Sequence, residues 1–106
     1  MKSEFFLALT TCPDTDAATS LAHAIVEKKL AACVNIIPAI QSIYQWQAKI
    51  QSDSECLLMM KTNQQHLIAL EHFIASEHPY DVPEFITFDI HSGAQSYLDW
   101  IQQSLN

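Results

Sequence analysis

At 106 residues, 49% of them apolar, the chain has room for one domain spanning 1–106, with a core that needs no disulfide support. Twelve acidic residues against five lysines and no arginine give a net charge of −7 at pH 7, which removes the basic stripe that nucleic-acid binding requires and disfavours docking on anionic lipid. No apolar run approaches the roughly 20 residues that cross a bilayer, and Met1-Lys2-Ser3-Glu4 has no secretory-signal pattern, so no membrane insertion and a cytoplasmic location are expected.

Phe5 to Thr11 is a short apolar run bounded by Cys12-Pro13-Asp14, and reads as a buried strand followed by a turn. From about Asp14 to Leu30, Ala18, Leu21, Ala22 and Ile25 repeat at helical spacing. Asp14 and Asp16 sit at the positive end of that helix, and Lys28 and Lys29 in its last turn. Cys33 to Trp46 is a long β-prone stretch in which Pro38 demands a bulge or an edge. Beyond the proline, Ile40, Ser42, Tyr44 and Trp46 share one face, and Gln41, Ile43 and Gln45 the other. Gln47 to Asp53 reads as a polar connection and Ser54 to Lys61 as the second strand of an antiparallel hairpin. Thr62-x-x-Gln65 has the form of a capping box opening a second helix, with Leu67, Leu70, Phe73 and Ile74 as its apolar stripe and Pro79 as its end. Phe85 to His91 alternates, with Ile86, Phe88 and Ile90 on the side expected to be buried. Ser92-x-x-Gln95 then opens a last helix whose apolar side carries Ala94, Tyr97, Leu98, Ile101 and Leu105.

The order β-α-β-β-α-β-α predicts an α/β (α+β) fold of the ferredoxin-like βαββαβ type, with an extra carboxy-terminal helix and an extended hairpin. A strand of about 14 residues reaches roughly 45 Å, about twice the length of Phe5–Thr11. Its far end carries Ile43, Tyr44 and Trp46, an aggregation hazard if left alone in water. Pairing with another subunit removes the hazard, so self-association is expected, with Tyr44 and Trp46 as assembly residues.

Much familiar chemistry is missing. Gly93 is the only glycine, which excludes glycine-rich phosphate loops. Without arginine there is no bidentate clamp for phosphoryl groups. Neither G-x-S-x-G nor H-E-x-x-H occurs, and no nucleophile–base pair is visible, so the chain does not read as an enzyme. Cys12, Cys33 and Cys56 form no C-x-x-C pair. Cys33 and Cys56 read as small hydrophobes within strands, and Cys12 as the reachable thiol. His23, His66 and His72 read as surface residues on helices. Met59 and Met60, adjacent in a strand, point to opposite faces and read as packing. The one polar concentration is Glu77-His78-Pro79-Tyr80-Asp81-Val82-Pro83-Glu84, stiffened by two prolines. Its imidazole and carboxylates suit a borderline cation such as copper or zinc. They suit equally a rigid loop that caps the helix. Lys61, at a strand end, reads either as an anion contact or as a snorkelling surface lysine.

Leu30-Ala31-Ala32-Cys33-Val34-Asn35-Ile36-Ile37-Pro38, Ser42-Ile43-Tyr44-x-Trp46, Glu55, Lys61-Thr62, His78-Pro79-Tyr80-x-x-Pro83-Glu84 and Tyr97-Leu98-x-Trp100 resemble the divalent-cation-tolerance proteins called CutA. The resemblance runs in order from Thr11-Cys12-Pro13-Asp14 to Trp100. It implies a ferredoxin-like subunit in a homotrimer built by strand pairing, similar in architecture to the PII signalling proteins. It also implies a cytoplasmic, non-enzymatic protein linked to tolerance of divalent metals, with Cu(II) or another divalent cation as a possible ligand. Three positions depart from the family pattern. Ala48 stands where a glycine usually follows the hairpin tryptophan, which implies a wider or shifted turn. The metal ligands that the resemblance implies are a strand-end cysteine, here Thr10, and paired histidines, of which only His78 remains beside Glu77. The cation site carries over at His78, with Cys12 and Glu77 as substitutes. The alternatives are a PII-like sensor that takes a small ligand or anion in inter-subunit clefts lined by Lys61, Tyr80 and Glu84, and a trimeric scaffold for a protein partner.

Overall fold

The computed structural model describes residues 4–106, so Met1–Ser3 of the amino-terminal reading lie outside it. The elements are β1 (Phe5–Cys12), α1 (Thr15–Glu27), β2 (Cys33–Trp46), β3 (Lys49–Asn63), α2 (Gln64–Glu77), β4 (Ile86–Asp89) and α3 (Gln95–Ser104). All strand pairs are antiparallel and the sheet order is β2-β3-β1-β4, the ferredoxin-like arrangement with a third helix appended. β1 lies between β3, from Phe5 opposite Asn63 to Cys12 opposite Cys56, and β4, from Phe6 opposite Asp89 to Leu9 opposite Ile86.

Side chains opposite one another in a ladder share a face of the sheet. Ala8, Thr10 and Cys12 therefore face the same way as Met60, Leu58 and Cys56, and all six are buried. Against this row pack Ala18, Leu21, Ala22 and Ile25 of α1 and Leu70 and Ile74 of α2, forming one hydrophobic core. The α1 residues are the ones that helical spacing predicts. The Asp14 side chain caps the helix by accepting from the Ala17 N–H at 2.8 Å. The helix is shorter than expected. It ends at Glu27, Lys29 turns left-handed at φ 57°, and the Leu30 N–H reaches back to the Ile25 carbonyl, so Lys28 and Lys29 follow the last turn instead of lying in it.

The opposite face of the sheet carries Leu7 and Leu9 with Met59, Leu57, Phe88 and Ile86. Burial of Ile86 and Phe88 was expected, and here the structure differs: they are 48% and 51% exposed, and β4 shrinks to four residues. The residue of that segment that meets the core is Phe85, from the other side. Alternation identified the two faces of β4, but all four of its residues are exposed and only the flanking Phe85 packs on the core.

The hairpin is longer than predicted. Lys49 to Asp53 is strand, paired through Trp46 opposite Lys49, so the expected connection shrinks to Gln47-Ala48. The turn is tight despite Ala48, with φ of 49° at Gln47 and 65° at Ala48, the two-residue left-handed geometry that matches strand twist. No widening occurs. Polar cross-strand bonds hold this exposed ladder: the Gln41 amide donates to Ser52 at 2.8 Å, and the Tyr44 hydroxyl donates to Asp53. Pro38 lies both on the sheet edge and in a bulge. The register slips between Ile37 and Ile40, with Ala39 at φ 58°.

Two caps also differ. Asn63, not Thr62, caps α2 by accepting from the His66 N–H, because Thr62 is still in the strand and donates its hydroxyl to the Leu30 carbonyl. Ala94 precedes α3 with no side-chain cap, so Ser92 plays no such part. An L-residue in the left-handed region costs on the order of 1 kcal/mol. Ala48→Gly is therefore expected to raise stability by about 0.5 kcal/mol after the glycine's own entropy penalty, and Ala48→Val to lower it, both read from denaturant unfolding midpoints.

Candidate functional site

The end of β1 and the segment after α2 meet around His78. The imidazole is buried, placed there because α2 stops at Glu77 and the chain turns into extended geometry at His78. The Tyr80 backbone N–H donates to Nδ1 at 3.1 Å, so Nδ1 carries the lone pair. Nε2 then bears the hydrogen and donates to the Thr11 carbonyl at 2.7 Å. Cys12 Sγ lies 3.8 Å from the same Nε2. One neutral tautomer satisfies both ring nitrogens.

The Cys12 thiol is fully buried, although it was expected to be the reachable cysteine. Its register opposite Cys56 points it into the helix-covered side. Burial, and then Cys56, Asp14 and Glu55 nearby, push its pKa up to about 11. A thiol so disposed is a poor nucleophile at neutral pH. Tyr80 leans on the imidazole, ring centroids 4.9 Å apart, and its hydroxyl donates to Glu55 Oε2 at 2.8 Å. Burial first, and then this bond, raise the phenol's pKa well above its ordinary range. Thr10, at the strand-end position where the resemblance places a cysteine, is buried with a hydroxyl that has no hydrogen-bond partner among the described residues.

The sequence matches the family described as CutA1 divalent ion tolerance protein over residues 6–104. The chain belongs to the CutA1 divalent ion tolerance family. Protein CutA of Mus musculus is 49% identical over 96 residues, which cover 91% of this chain and 54% of that protein. Divalent-cation tolerance protein CutA of Thermus thermophilus is 41% identical over 98 residues, 92% of this chain and 95% of that protein. The crystal structure of CutA1 from the psychrotrophic bacterium Shewanella sp. SIB1 superposes with a TM-score of 0.94 at 44% identity, covering 98% of this chain and 97% of that one. The chain spans about half the length of several curated relatives it matches, the mouse protein among them.

Against the CutA1 pattern, the structure brings Cys12 and His78 together but keeps Glu77 apart. Glu77 is exposed and lines a shallow groove between α1 and α2 with Lys28, Phe73 and Pro79. Among the described residues no three His, Cys, Asp or Glu side chains are arranged to hold a metal ion. A cation at Nε2 would displace the bond to Thr11 and put the ring hydrogen on Nδ1, facing the Tyr80 N–H, so the resting arrangement does not fit one. Lys61 and Tyr80 do not share a cleft within the protomer. Tyr80 meets β3 at Glu55, six residues or roughly 20 Å along the strand from Lys61. The Lys61 ammonium instead donates to Asn35 Oδ1, with Cys33 Sγ at 3.9 Å. Glu84 is exposed, as are Tyr44 and Trp46 on the hairpin. Glu55 and the Thr11 carbonyl are the functional neighbours that residue reasoning did not assign; only the appearance of Glu55 in the family pattern pointed to it. Among the described residues no helix is long and apolar enough to cross a membrane.

The raised Cys12 pKa fixes the sign of one pH effect. The folded thiol holds its proton to about 11 while the unfolded one releases it near 9.0, so its contribution to stability is complete below pH 9 and is lost as pH rises through 11. Urea midpoints measured across this window should fall more steeply for the parent protein than for Cys12→Ala. Equal slopes would show that Cys12 is not the group responsible.

Proposed function

We propose that the chain is the protomer of a non-enzymatic, cytoplasmic homotrimer that takes part in the response to divalent cations. One observation carries the assembly: the side of the sheet away from α1 and α2 is apolar and partly open, with Ile86 and Phe88 half exposed at one edge and the hairpin running beyond the sheet at the other. An apolar face of this kind marks an interaction surface. The CutA1 family membership supplies the cation link. The absence of an activated thiol at Cys12 favours a non-enzymatic role, and three unpaired cysteines suit a reducing compartment. Tyr44 and Trp46, exposed on the hairpin, are the residues expected to contact a neighbouring subunit.

Light scattering tests the assembly: we expect three times the 12.0-kDa chain mass, and dissociation in Phe88→Asp. A monomeric parent protein would remove the reading. The cation site is proposed at His78 with Cys12 and Glu77, which requires the imidazole to give up its bonds to Thr11 and Tyr80. Calorimetric titration of the assembled protein with Cu(II) tests this. Binding that disappears in His78→Ala supports the site, and binding unchanged by the substitution excludes it.

A second reading, a PII-like sensor of a small anion in a cleft between subunits, rests on Lys61. Lys61 is half-buried, and among the described residues its ammonium donates to the neutral Asn35 and Cys33. Such a cleft would take Tyr80 and Glu84 from a neighbouring subunit. A scaffold for a protein partner would use the same assembly.

A further inference from the structure

Cys12 and Cys56 are not only both buried; they stand directly opposite one another as the last rung of the β1–β3 ladder. Directly opposed residues in an antiparallel pair lie about 4.5–5.5 Å apart at Cα, inside the roughly 4.4–6.8 Å that a disulfide spans. Both side chains belong to the helix-facing row, so the two sulfurs project to the same side. Each thiol is within hydrogen-bond reach of a polar side chain: His78 Nε2 at 3.8 Å from Cys12, and Thr15 Oγ1 at 3.7 Å from Cys56. Cys56 also faces the β2 bulge, since Ile37 pairs with Leu57 and Ile40 with Glu55, leaving Pro38 and Ala39 opposite it. The pair therefore sits where β1 ends and the hairpin leaves the sheet.

We propose that Cys12 and Cys56 form a redox-active pair that closes to an intramolecular disulfide and staples the base of the hairpin to β1. The oxidant is a peroxide. The Cys56 sulfur, beside the β2 bulge, takes an oxygen from hydrogen peroxide, giving a sulfenic acid and one water. The second sulfur then attacks the sulfenic sulfur, the S–S bond forms, and the hydroxyl leaves with the second thiol's proton as another water. Two thiols and one hydrogen peroxide become one disulfide and two waters. Burial keeps both thiols quiet at rest. Closure draws the two Cβ atoms in from the roughly 4.5–5.5 Å of a cross-strand pair to the tighter spacing of a disulfide. Because the closed loop contains the whole of α1 and β2, the oxidised form resists unfolding more than the reduced one.

The test treats the assembled protein with hydrogen peroxide, blocks remaining thiols under denaturing conditions, and maps the peptides by mass. We expect a Cys12 peptide joined to a Cys56 peptide, about 2 Da lighter than the two thiols together, with Cys33 still alkylated. We also expect an unfolding midpoint raised by on the order of 10 °C, reversed by dithiothreitol and absent in Cys56→Ser. Full alkylation of all three cysteines under conditions that oxidise a free dithiol would overturn the proposal. So would a linkage through Cys33, or oxidation of either cysteine to sulfinic acid without a joined peptide. The peptide map uses the parent protein, so its outcome does not depend on a variant that fails to fold.

Discussion

The whole arrangement hangs on β3. It is the longest strand, and one end of it is the second rail of the hairpin while the other is the central ladder between β1 and β2. Its inward row of Cys56, Leu58, Met60 and Thr62 is buried under the helices, and its alternate residues line the open side. A shift of one residue in its pairing would exchange these two rows. The bulge at Pro38-Ala39 corrects for the edge proline without transmitting such a shift to the inner ladder. Burial of the apolar row and projection of the hairpin are thus consequences of the same strand.

The same register determines the chemistry around His78. Because Cys12 shares the inward row with Cys56, its thiol is enclosed and held protonated, and the Thr11 carbonyl beside it takes the imidazole's hydrogen. Tyr80 completes the closure by engaging Nδ1 through its amide and Glu55 through its hydroxyl. The result is a saturated polar knot in which every ring nitrogen is occupied. A buried network of this kind rigidifies the junction between α2 and β4. Any ligand role for His78 must begin by breaking bonds that already exist.

Element order, the α1 core residues and the buried Met60 were legible because apolar spacing reports burial directly. The outer half of β3 was not, because Lys49-Ile50-Gln51-Ser52-Asp53 lacks a buried row; its strand character comes from polar partners on β2 that no periodicity reveals. Thr62 imitated a helix cap because its hydroxyl was free to be assigned locally, whereas in the fold it serves the Leu30 carbonyl 32 residues away. The tight turn at Ala48 ran against residue preference, and ladder pairing on both sides outweighed a local penalty of about 1 kcal/mol. At the site, proximity of Cys12 to His78 followed only from the family likeness, and the burial of that thiol depended on a cross-strand register that spacing does not encode.

Backbone hydrogen exchange on the native, assembled protein tests most directly whether the hairpin is an assembly element. β2 is an edge strand, so in an isolated protomer every second N–H from Ile40 to Trp46 faces water. Pairing with a neighbouring subunit predicts slow exchange at these alternate amides as well as at those bonded to β3. Exchange of the alternate amides at the rate of a free peptide, beside protected β3-bonded ones, would contradict it.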